Sequence, residues 1–238
     1  MNSTHPLQVI ELRRYLLHPG QRDTLISLFE REFVETQEAL GMQVIGPFRE
    51  LDDPDRFVWL RGFTDMASRA RGLAAFYGGP VWQRHRDAAN ATMVDSDVHL
   101  LRPVWTCGGF GNAVRAPIGA TACPPGLVTA TICPLPAPAD DALVAAFHDT
   151  LAPSWTHAGA RLLAVFVSET APNNFPRLPV HEGRPVITWL SLFADAAAQQ
   201  AHAARLAATP QRLAWRKRLT DEAQTLRLAP TPRSSLHG

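Results

Sequence analysis

The chain has 238 residues, of which 46% are hydrophobic and 19% are charged. This is an ordinary globular composition that excludes a disordered or fibrous protein, and the length allows one large domain or two small ones. The net charge is +1, so there is no electrostatic case for a nucleic-acid partner or a membrane surface. No apolar run approaches the roughly 18–20 residues of a spanning helix.

Cysteine usage and the N-terminus indicate a cytoplasmic protein. Residues 1–6 are polar, and no signal-peptide core follows them. The 3 cysteines are an odd number without a Cys-x-x-Cys pair, so we expect free thiols. Lys217 is the only lysine among 23 basic residues, and there are 20 prolines. This usage is typical of a GC-rich bacterial genome.

The first half of the chain predicts the order βαββαβ. Residues 7–17 alternate as a strand does, and Pro19-Gly20 ends that strand. Leu25, Phe29 and Phe33 then lie along one face of a helix that closes near Gly41. The remaining predicted elements are strands over 42–51 and 57–63, a helix over 66–77 capped by Thr64 or Asp65, a short helix to residue 91, and a strand over 94–104.

The second half predicts the same order after a Gly- and Pro-rich linker. Asp140 or Asp141 begins its first helix, Asp195 caps the next, and Thr209 with Pro210 begins the last. Its strands are predicted over 128–133, 161–168, 186–193 and 226–228.

An insertion over residues 171–185 interrupts this second half. Its prolines, which include Pro172 and Pro176, preclude a continuous helix and disfavour a paired strand. We expect this segment to be a lid, a partner contact or a solvent loop.

The two halves also repeat each other in sequence. The segment that begins at Trp59-Leu60 recurs at Trp189-Leu190, and the helix residue Phe29 is matched by Phe147. Self-similarity in two copies indicates a duplicated domain rather than a solenoid.

The motif Glu11-Leu12-Arg13-Arg14-Tyr15, followed by His18-Pro19-Gly20, resembles the start of the NIPSNAP family. The strand Val58-Trp59-Leu60-Arg61 and the tract Pro80-Val81-Trp82 fit the same pattern. The resemblance implies the dimeric α/β-barrel superfamily, whose members include cofactor-free monooxygenases, isomerases, haem enzymes and proteins of no known activity. It implies no particular activity, because function cannot be read from such a fold.

We therefore predict an α+β fold with two tandem ferredoxin-like βαββαβ domains, residues 1–104 and 127–238, joined by a linker over residues 105–126. Helices cover only one face of such a sheet. The two bare faces can pack sheet to sheet and close an eight-stranded barrel within one chain. The expected result is a pseudo-dimer of the dimeric α/β-barrel type.

Alternation along the first and third strands puts five polar or aromatic side chains on one face: Glu11, Arg13, Tyr15, Trp59 and Arg61. We predict that this face points into the barrel, and that Leu12 and Leu60 face the helices. We also expect Asp97, His99 and Leu101 to face the barrel.

Two interpretations of these polar groups stay open. In the functional one, Arg13 binds an anionic or carbonyl group, Tyr15 donates a hydrogen bond, and Glu11 orients Arg13 or takes a proton. In the structural one, Glu11 and Arg13 pair with each other or with Arg61, because an unpaired buried charge is costly.

The duplicate half does not keep these charged residues. Thr131 and Cys133 occupy the positions that match Arg13 and Tyr15, and Ser191 replaces Arg61. We therefore expect any site to belong mostly to the first half, with the second half as a wall.

Trp82 and His85 complete the candidate small-molecule-binding residues, on a helix beside the predicted cavity mouth. Trp82 and Trp59 also have a structural interpretation, because tryptophans are more often core residues than ligand contacts. His85 can be a general base, a haem ligand or a surface histidine. The histidines show no His-Glu-x-x-His motif and no paired spacing with cysteines or carboxylates, so we predict no metal site and no cofactor.

Two functions remain in competition. One is a barrel that binds a small organic molecule in its interior, with cofactor-free catalysis of the monooxygenase or isomerase kind as an extension. The other is a non-enzymatic interaction or scaffold protein whose barrel is filled. We also expect a homo-oligomer and no nucleic-acid or membrane partner.

Overall fold

The computed structural model describes residues 6–107, 110–111 and 113–238, and its first half follows the predicted order. The elements are β1 (Val9–Leu17), α1 (Arg22–Leu28), α2 (Val34–Ala39), β2 (Gln43–Glu50), β3 (Arg56–Phe63), α3 (Met66–Gly78), α4 (Pro80–Asn90) and β4 (Met93–Thr106). A π-helical turn, Phe29–Phe33, joins α1 to α2. Within these described ranges, no helix is long and apolar enough to cross a membrane.

The second half repeats this order of strands and helices. Its elements are β5 (Leu127–Pro134), α5 (Asp141–Ala146), α6 (Ala152–His157), β6 (Arg161–Ser168), β7 (Val186–Phe193), α7 (Ala196–Leu206), α8 (Pro210–Arg216) and β8 (Gln224–Pro230). A second π-helical turn, Phe147–Leu151, joins α5 to α6.

The helix starts agree with the capping residues that the sequence indicated. Asp65 accepts from the backbone N–H of Ser68 in a capping box, and Asp195 and Thr209 cap α7 and α8 with their side chains. The last residues of β4 extend into the predicted linker. Residues 1–5, 108, 109 and 112, which fall in the predicted first domain and linker, lie outside the described residues.

The eight strands close into one antiparallel barrel with the order β1-β3-β2-β8-β5-β7-β6-β4. Two pairings join the halves: β2 with β8, and β4 with β6. The predicted eight-stranded barrel within a single chain is confirmed. Helices pack on its outer surface, so each half has a sheet–helix layer as well as a share of the barrel interior.

The barrel interior is filled by apolar side chains from all eight strands. Leu12, Phe48, Leu60 and Phe166 are at most 2% exposed and belong to this cluster, together with Leu101, as expected. The cluster contains no helix residue in the described part of the chain. We call it the barrel core.

The predicted orientation of the first and third strands is therefore wrong. Leu12 and Leu60 point into the barrel core, whereas Tyr15 and Trp59 pack with the helix residues Phe29 and Phe33. By strand alternation, Glu11, Arg13 and Arg61 also face the helices. The error has a physical cause: both faces of these strands are buried, so alternation separates the two faces without identifying which one meets the helices.

The C-terminal segment packs against the first half instead of ending at β8. Leu236 joins the barrel core, and Arg233 is 3% exposed. The Arg233 guanidinium pairs with Glu35 and donates to the carbonyl of Ala116 at 2.9 Å. This segment helps to fix the second half on the first.

Candidate functional site

Three arginines surround one carboxylate between the sheet and the helices of the first half. Arg13 Nη1 donates to Glu11 Oε2 at 2.7 Å, and Arg61 Nε donates to the same oxygen at 2.8 Å. Arg69 Nε donates to Glu11 Oε1 at 2.7 Å. All four side chains are at most 2% exposed. We call this group the arginine cluster.

Aromatic rings enclose the arginine cluster on the sheet side. Arg13 Nε donates to the Tyr15 hydroxyl at 2.9 Å. The guanidinium carbons of Arg13 and Arg61 lie 5.6 and 5.0 Å from the Trp59 ring centroid, within the range of cation–π attraction. The Trp59 indole N–H has no hydrogen-bond partner among the described residues.

The arginine cluster carries more positive than negative charge. In the described part of the chain, all ion pairs of the three guanidinium groups go to Glu11. Burial alone raises the pKa of the Glu11 carboxyl, but the charges of Arg61, Arg13 and Arg69 outweigh it and hold that pKa well below its usual range. Glu11 is therefore a carboxylate at neutral pH, and two positive charges are left over.

Four members of this environment were not predicted from the sequence. Arg69 comes from α3, and Gln37 of α2 accepts from Arg61 Nη1 at 2.9 Å. Asn173 and Asn174 come from the insertion, and their side-chain oxygens accept from Arg69 Nη1 at 3.0 and 2.8 Å. Patterns within single strands could not reveal these residues, because tertiary packing alone brings them to Glu11.

The insertion packs over the first half. Its Phe175, Leu178 and Val180 lie against the sheet–helix core of that half. The Phe175 ring stacks on Tyr77 with centroids 5.9 Å apart, and Asn174 Nδ2 donates to the Met66 carbonyl at 2.6 Å. The second half thus contributes polar groups to the first-half site, and does more than form a wall.

Trp82 and His85 lie further from the arginine cluster. Trp82 packs edge-on to Tyr77 with ring centroids 4.8 Å apart, and among the described residues its ring contacts are with aromatic side chains outside the arginine cluster. His85 Nε2 lies 3.6 Å from Glu32 Oε2 at the surface of α4. The structure therefore brings together Glu11, Arg13, Tyr15, Trp59 and Arg61, and leaves His85 apart.

The second half has a cavity of about 160 Å³ at the corresponding place. Its lining includes Thr131, Cys133 and Trp189, which match Arg13, Tyr15 and Trp59 in the repeat. The smaller Thr131 and Cys133 side chains leave space that the charged residues fill in the first half. The volume is below the roughly 300–1,000 Å³ of common ligand pockets.

The environment of Cys133 leads to a labelling prediction. Burial raises the pKa of the Cys133 thiol to about 12, whereas Cys123 is exposed. Only the thiolate reacts with iodoacetamide. At pH 8 we therefore expect alkylation of Cys123 in the native protein and of Cys133 only after denaturation, measured by peptide mass spectrometry. Labelling of Cys123 and Cys133 at similar rates in the native protein would show that the reagent enters the cavity and that the Cys133 thiol ionises there.

Three possible metal ligands meet elsewhere, near the start of β4. Asp97, His99 and His181 offer ligand atoms that all lie within 4.8 Å of one another. The sequence search for metal motifs did not find this group, because His181 comes from the distant insertion.

Comparison with known proteins gives a family-model match in the first half. The NIPSNAP family model matches residues 10–107, which confirms the resemblance carried by the first strand. No curated protein matches the chain.

Solved structures match nearly the whole chain at low identity. An anthrone oxidase-like protein superposes with a TM-score of 0.58 and 14% identity, over 98% of this chain and 97% of that one. A candidate monooxygenase from Fusobacterium nucleatum superposes with a TM-score of 0.57 and 6% identity, over 98% of this chain and 97% of that one. Another candidate monooxygenase, from Lactobacillus acidophilus, superposes with a TM-score of 0.53 and 11% identity, over 96% of this chain and 98% of that one. At such identities the likeness shows the barrel fold alone.

Proposed function

Since the NIPSNAP family model matches residues 10–107, we propose that this part of the chain is the ligand-binding part of the protein, and that it binds a small organic anion between its sheet and its helices. The observation that carries this proposal is the excess of positive charge in the arginine cluster. A buried charge without a counterion is costly. A bound carboxylate or similar anion would neutralise it through charge-assisted hydrogen bonds.

The insertion supports this proposal as a lid. The Asn173 and Asn174 amide oxygens accept from one nitrogen of Arg69, where the oxygens of an anion would bind. Arg69 Nη2 has no hydrogen-bond partner among the described residues. An entering anion would replace the two neutral amide oxygens, and the insertion would move aside to admit it.

The ligand site of this proposal is not the barrel interior. The barrel core is filled by apolar side chains, so we propose a ligand site that differs from the sequence-based expectation of a site inside the barrel. The layer between β1, β3 and the helices offers the polar groups instead. The filled interior also fits the alternative, a non-enzymatic interaction protein, and ligand binding is the property that separates the two.

Cofactor-free catalysis is a further step of the same proposal, and the fold shared with monooxygenase-like structures is compatible with it. The arginines make Glu11 a weak proton acceptor, because they stabilise its charged form. In a catalytic version, Glu11 would orient the arginines, and the guanidinium groups and the Tyr15 hydroxyl would stabilise negative charge on the substrate.

Replacement of Arg13 tests the proposed site. Arg13→Met keeps the side-chain volume and leaves Glu11 with two arginine partners. Loss of a charge-assisted hydrogen bond to a bound anion costs about 1.5–3 kcal/mol, or roughly tenfold to a hundredfold in affinity. Native mass spectrometry identifies co-purifying anions, and thermal-shift titration with benzoate, acetate and phosphate measures binding.

Thr131→Ala, at the matching position of the second half, is the control for Arg13→Met. We expect this variant to bind the anion as the wild type does. If Thr131→Ala rather than Arg13→Met removes binding, the ligand lies in the second-half cavity and the proposed site is wrong. If no anion binds to the wild type, the interaction-protein alternative is favoured.

The finer description of the fold is also a proposal. We infer that each half is a ferredoxin-like unit, which the strand orders β4-β1-β3-β2 and β8-β5-β7-β6 support. We propose a homo-oligomer as well. Because the barrel is closed, a second copy would pair through helix faces, and light scattering in solution measures the mass.

A further inference from the structure

The insertion and β4 form a cluster of metal-ligating side chains that is separate from the arginine cluster. Asp97 and His99 are two residues apart on β4 and so share one face. His181 approaches them from the insertion, and its backbone N–H donates to the Val98 carbonyl at 2.9 Å. His181 Nε2 lies 2.6 Å from Asp97 Oδ1, and His99 Nε2 lies 3.9 Å from the same oxygen.

We propose that Asp97, His99 and His181 bind a divalent transition-metal ion, with Zn²⁺ as the expected occupant. Imidazole nitrogens favour zinc and its first-row neighbours, whereas magnesium and calcium prefer sites made only of oxygen atoms. Two histidines and one carboxylate form a common set of three protein ligands for zinc, with water in the fourth position.

The distances are close to those that a metal requires. Ligand atoms about 2.0–2.2 Å from a tetrahedral ion lie about 3.3 Å from each other. On metal binding, His181 Nε2 and Asp97 Oδ1, now 2.6 Å apart, would move apart. His99 Nε2 and Asp97 Oδ1, now 3.9 Å apart, would move closer together. Asp97 and His181 are 33% and 30% exposed, so water can reach the open position.

The charges around this cluster also permit a cation. Arg14 lies opposite Asp97 in the pairing of β1 with β4, and its guanidinium makes two 2.7 Å hydrogen bonds to Glu50. That pairing neutralises Arg14 and leaves the Asp97 charge for the ion.

A metal at this place would tie the insertion to β4. His181 belongs to the same segment as Asn173 and Asn174, which cover Arg69. Metal binding would then hold the insertion closed, and its removal would loosen the segment. This consequence does not depend on whether an anion binds to the arginine cluster.

A cobalt titration tests the site, because four-coordinate Co²⁺ has visible absorption bands that report the ligands directly. The protein is stripped with a chelator and titrated in a Cys123→Ser background, which removes an exposed thiol that could bind cobalt. We expect saturable visible bands that equimolar Zn²⁺ abolishes. His99→Ala and His181→Ala should each weaken binding about a hundredfold or more, since even second-shell changes cost tenfold to a hundredfold.

His148→Ala is the matched control, because His148 is 74% exposed and pairs only with Asp149 among the described residues. It should leave the titration unchanged. Far-UV circular dichroism confirms that each variant is folded, and Asp97→Asn gives a third test of the same ligands. The proposal would be overturned if the wild type did not bind Co²⁺, or if His99→Ala and His181→Ala bound Co²⁺ as tightly as the wild type does.

Trypsin cleavage gives a second readout of the metal site. Arg177 lies in the insertion and is followed by Leu178, so we expect Zn²⁺ to slow tryptic cleavage after Arg177 in the wild type but not in His181→Ala. Equal cleavage rates with and without Zn²⁺ would show that the ion does not hold the insertion in place.

Discussion

Glu11→Ala is expected to lower the free energy of unfolding by about 3–5 kcal/mol, the cost of removing one partner from a buried ion pair. The variant leaves Arg13, Arg61 and Arg69 without an acid within ion-pair distance in the described part of the chain. Urea unfolding followed by circular dichroism measures the loss. Glu222→Ala is the control: this side chain is 85% exposed and pairs at the surface with Arg216, so the change should be within about 1 kcal/mol.

A double variant separates a structural role of the arginine cluster from a ligand-binding role. Glu11→Gln with Arg13→Met removes one charge of each sign and keeps the side-chain volumes. Replacing a buried ion pair by groups of similar volume is often neutral or stabilising. If this variant is as stable as the wild type and a ligand still binds, the pair is structural. Stability without ligand binding would assign Arg13 to the binding site.

The same carboxylate predicts a dependence of stability on pH. The pKa of Glu11 in the folded protein lies below its ordinary value of 4.5. Its contribution to stability is therefore fully present above pH 4.5 and is lost as the pH falls toward the folded pKa. We expect the wild type to lose more stability than Glu11→Gln between pH 5 and pH 3. Parallel pH profiles for the two proteins would contradict the ionised state of Glu11.

The sequence predicts the elements and the closed barrel well, because local signals agree with the tertiary structure. The strands predicted over 161–168 and 186–193 coincide with the observed bounds of β6 and β7, Arg161–Ser168 and Val186–Phe193. Asp195 and Thr209 mark helix starts with side chains that cap the backbone. The repeat supports the symmetry of the two halves, since matched elements occupy matched places in the barrel.

The candidate site was only partly predictable, for two physical reasons. Alternation correctly grouped Glu11, Arg13 and Arg61, but the opposite face of these strands is equally buried, so nothing in the pattern identified the barrel side. Arg69 and Asn173 are contributed by a helix and a loop that are distant in sequence. Single-sequence patterns carry no information about such contacts, because packing alone creates them.

The assignment of the barrel core predicts a large effect for Leu60→Ala. Leu60 is 0% exposed and lies among barrel-core residues of both halves. Removal of a buried leucine side chain costs about 2–5 kcal/mol, through lost burial and the cavity that remains. Urea unfolding measures this change. Leu213→Ala on α8 is the control, because Leu213 is 47% exposed and should change stability by no more than about 0.5 kcal/mol.

The result for Leu60 also separates the two locations considered for a ligand. A hollow, ligand-accessible barrel would tolerate Leu60→Ala with little loss of stability, since the side chain would then face a cavity that already exists. A loss of about 2 kcal/mol or more, with anion binding unchanged, would place the ligand outside the barrel core. Both results follow from one fact of strand geometry: Leu60 and Arg61 point to opposite faces of β3, so one fills the barrel and the other contacts the helices.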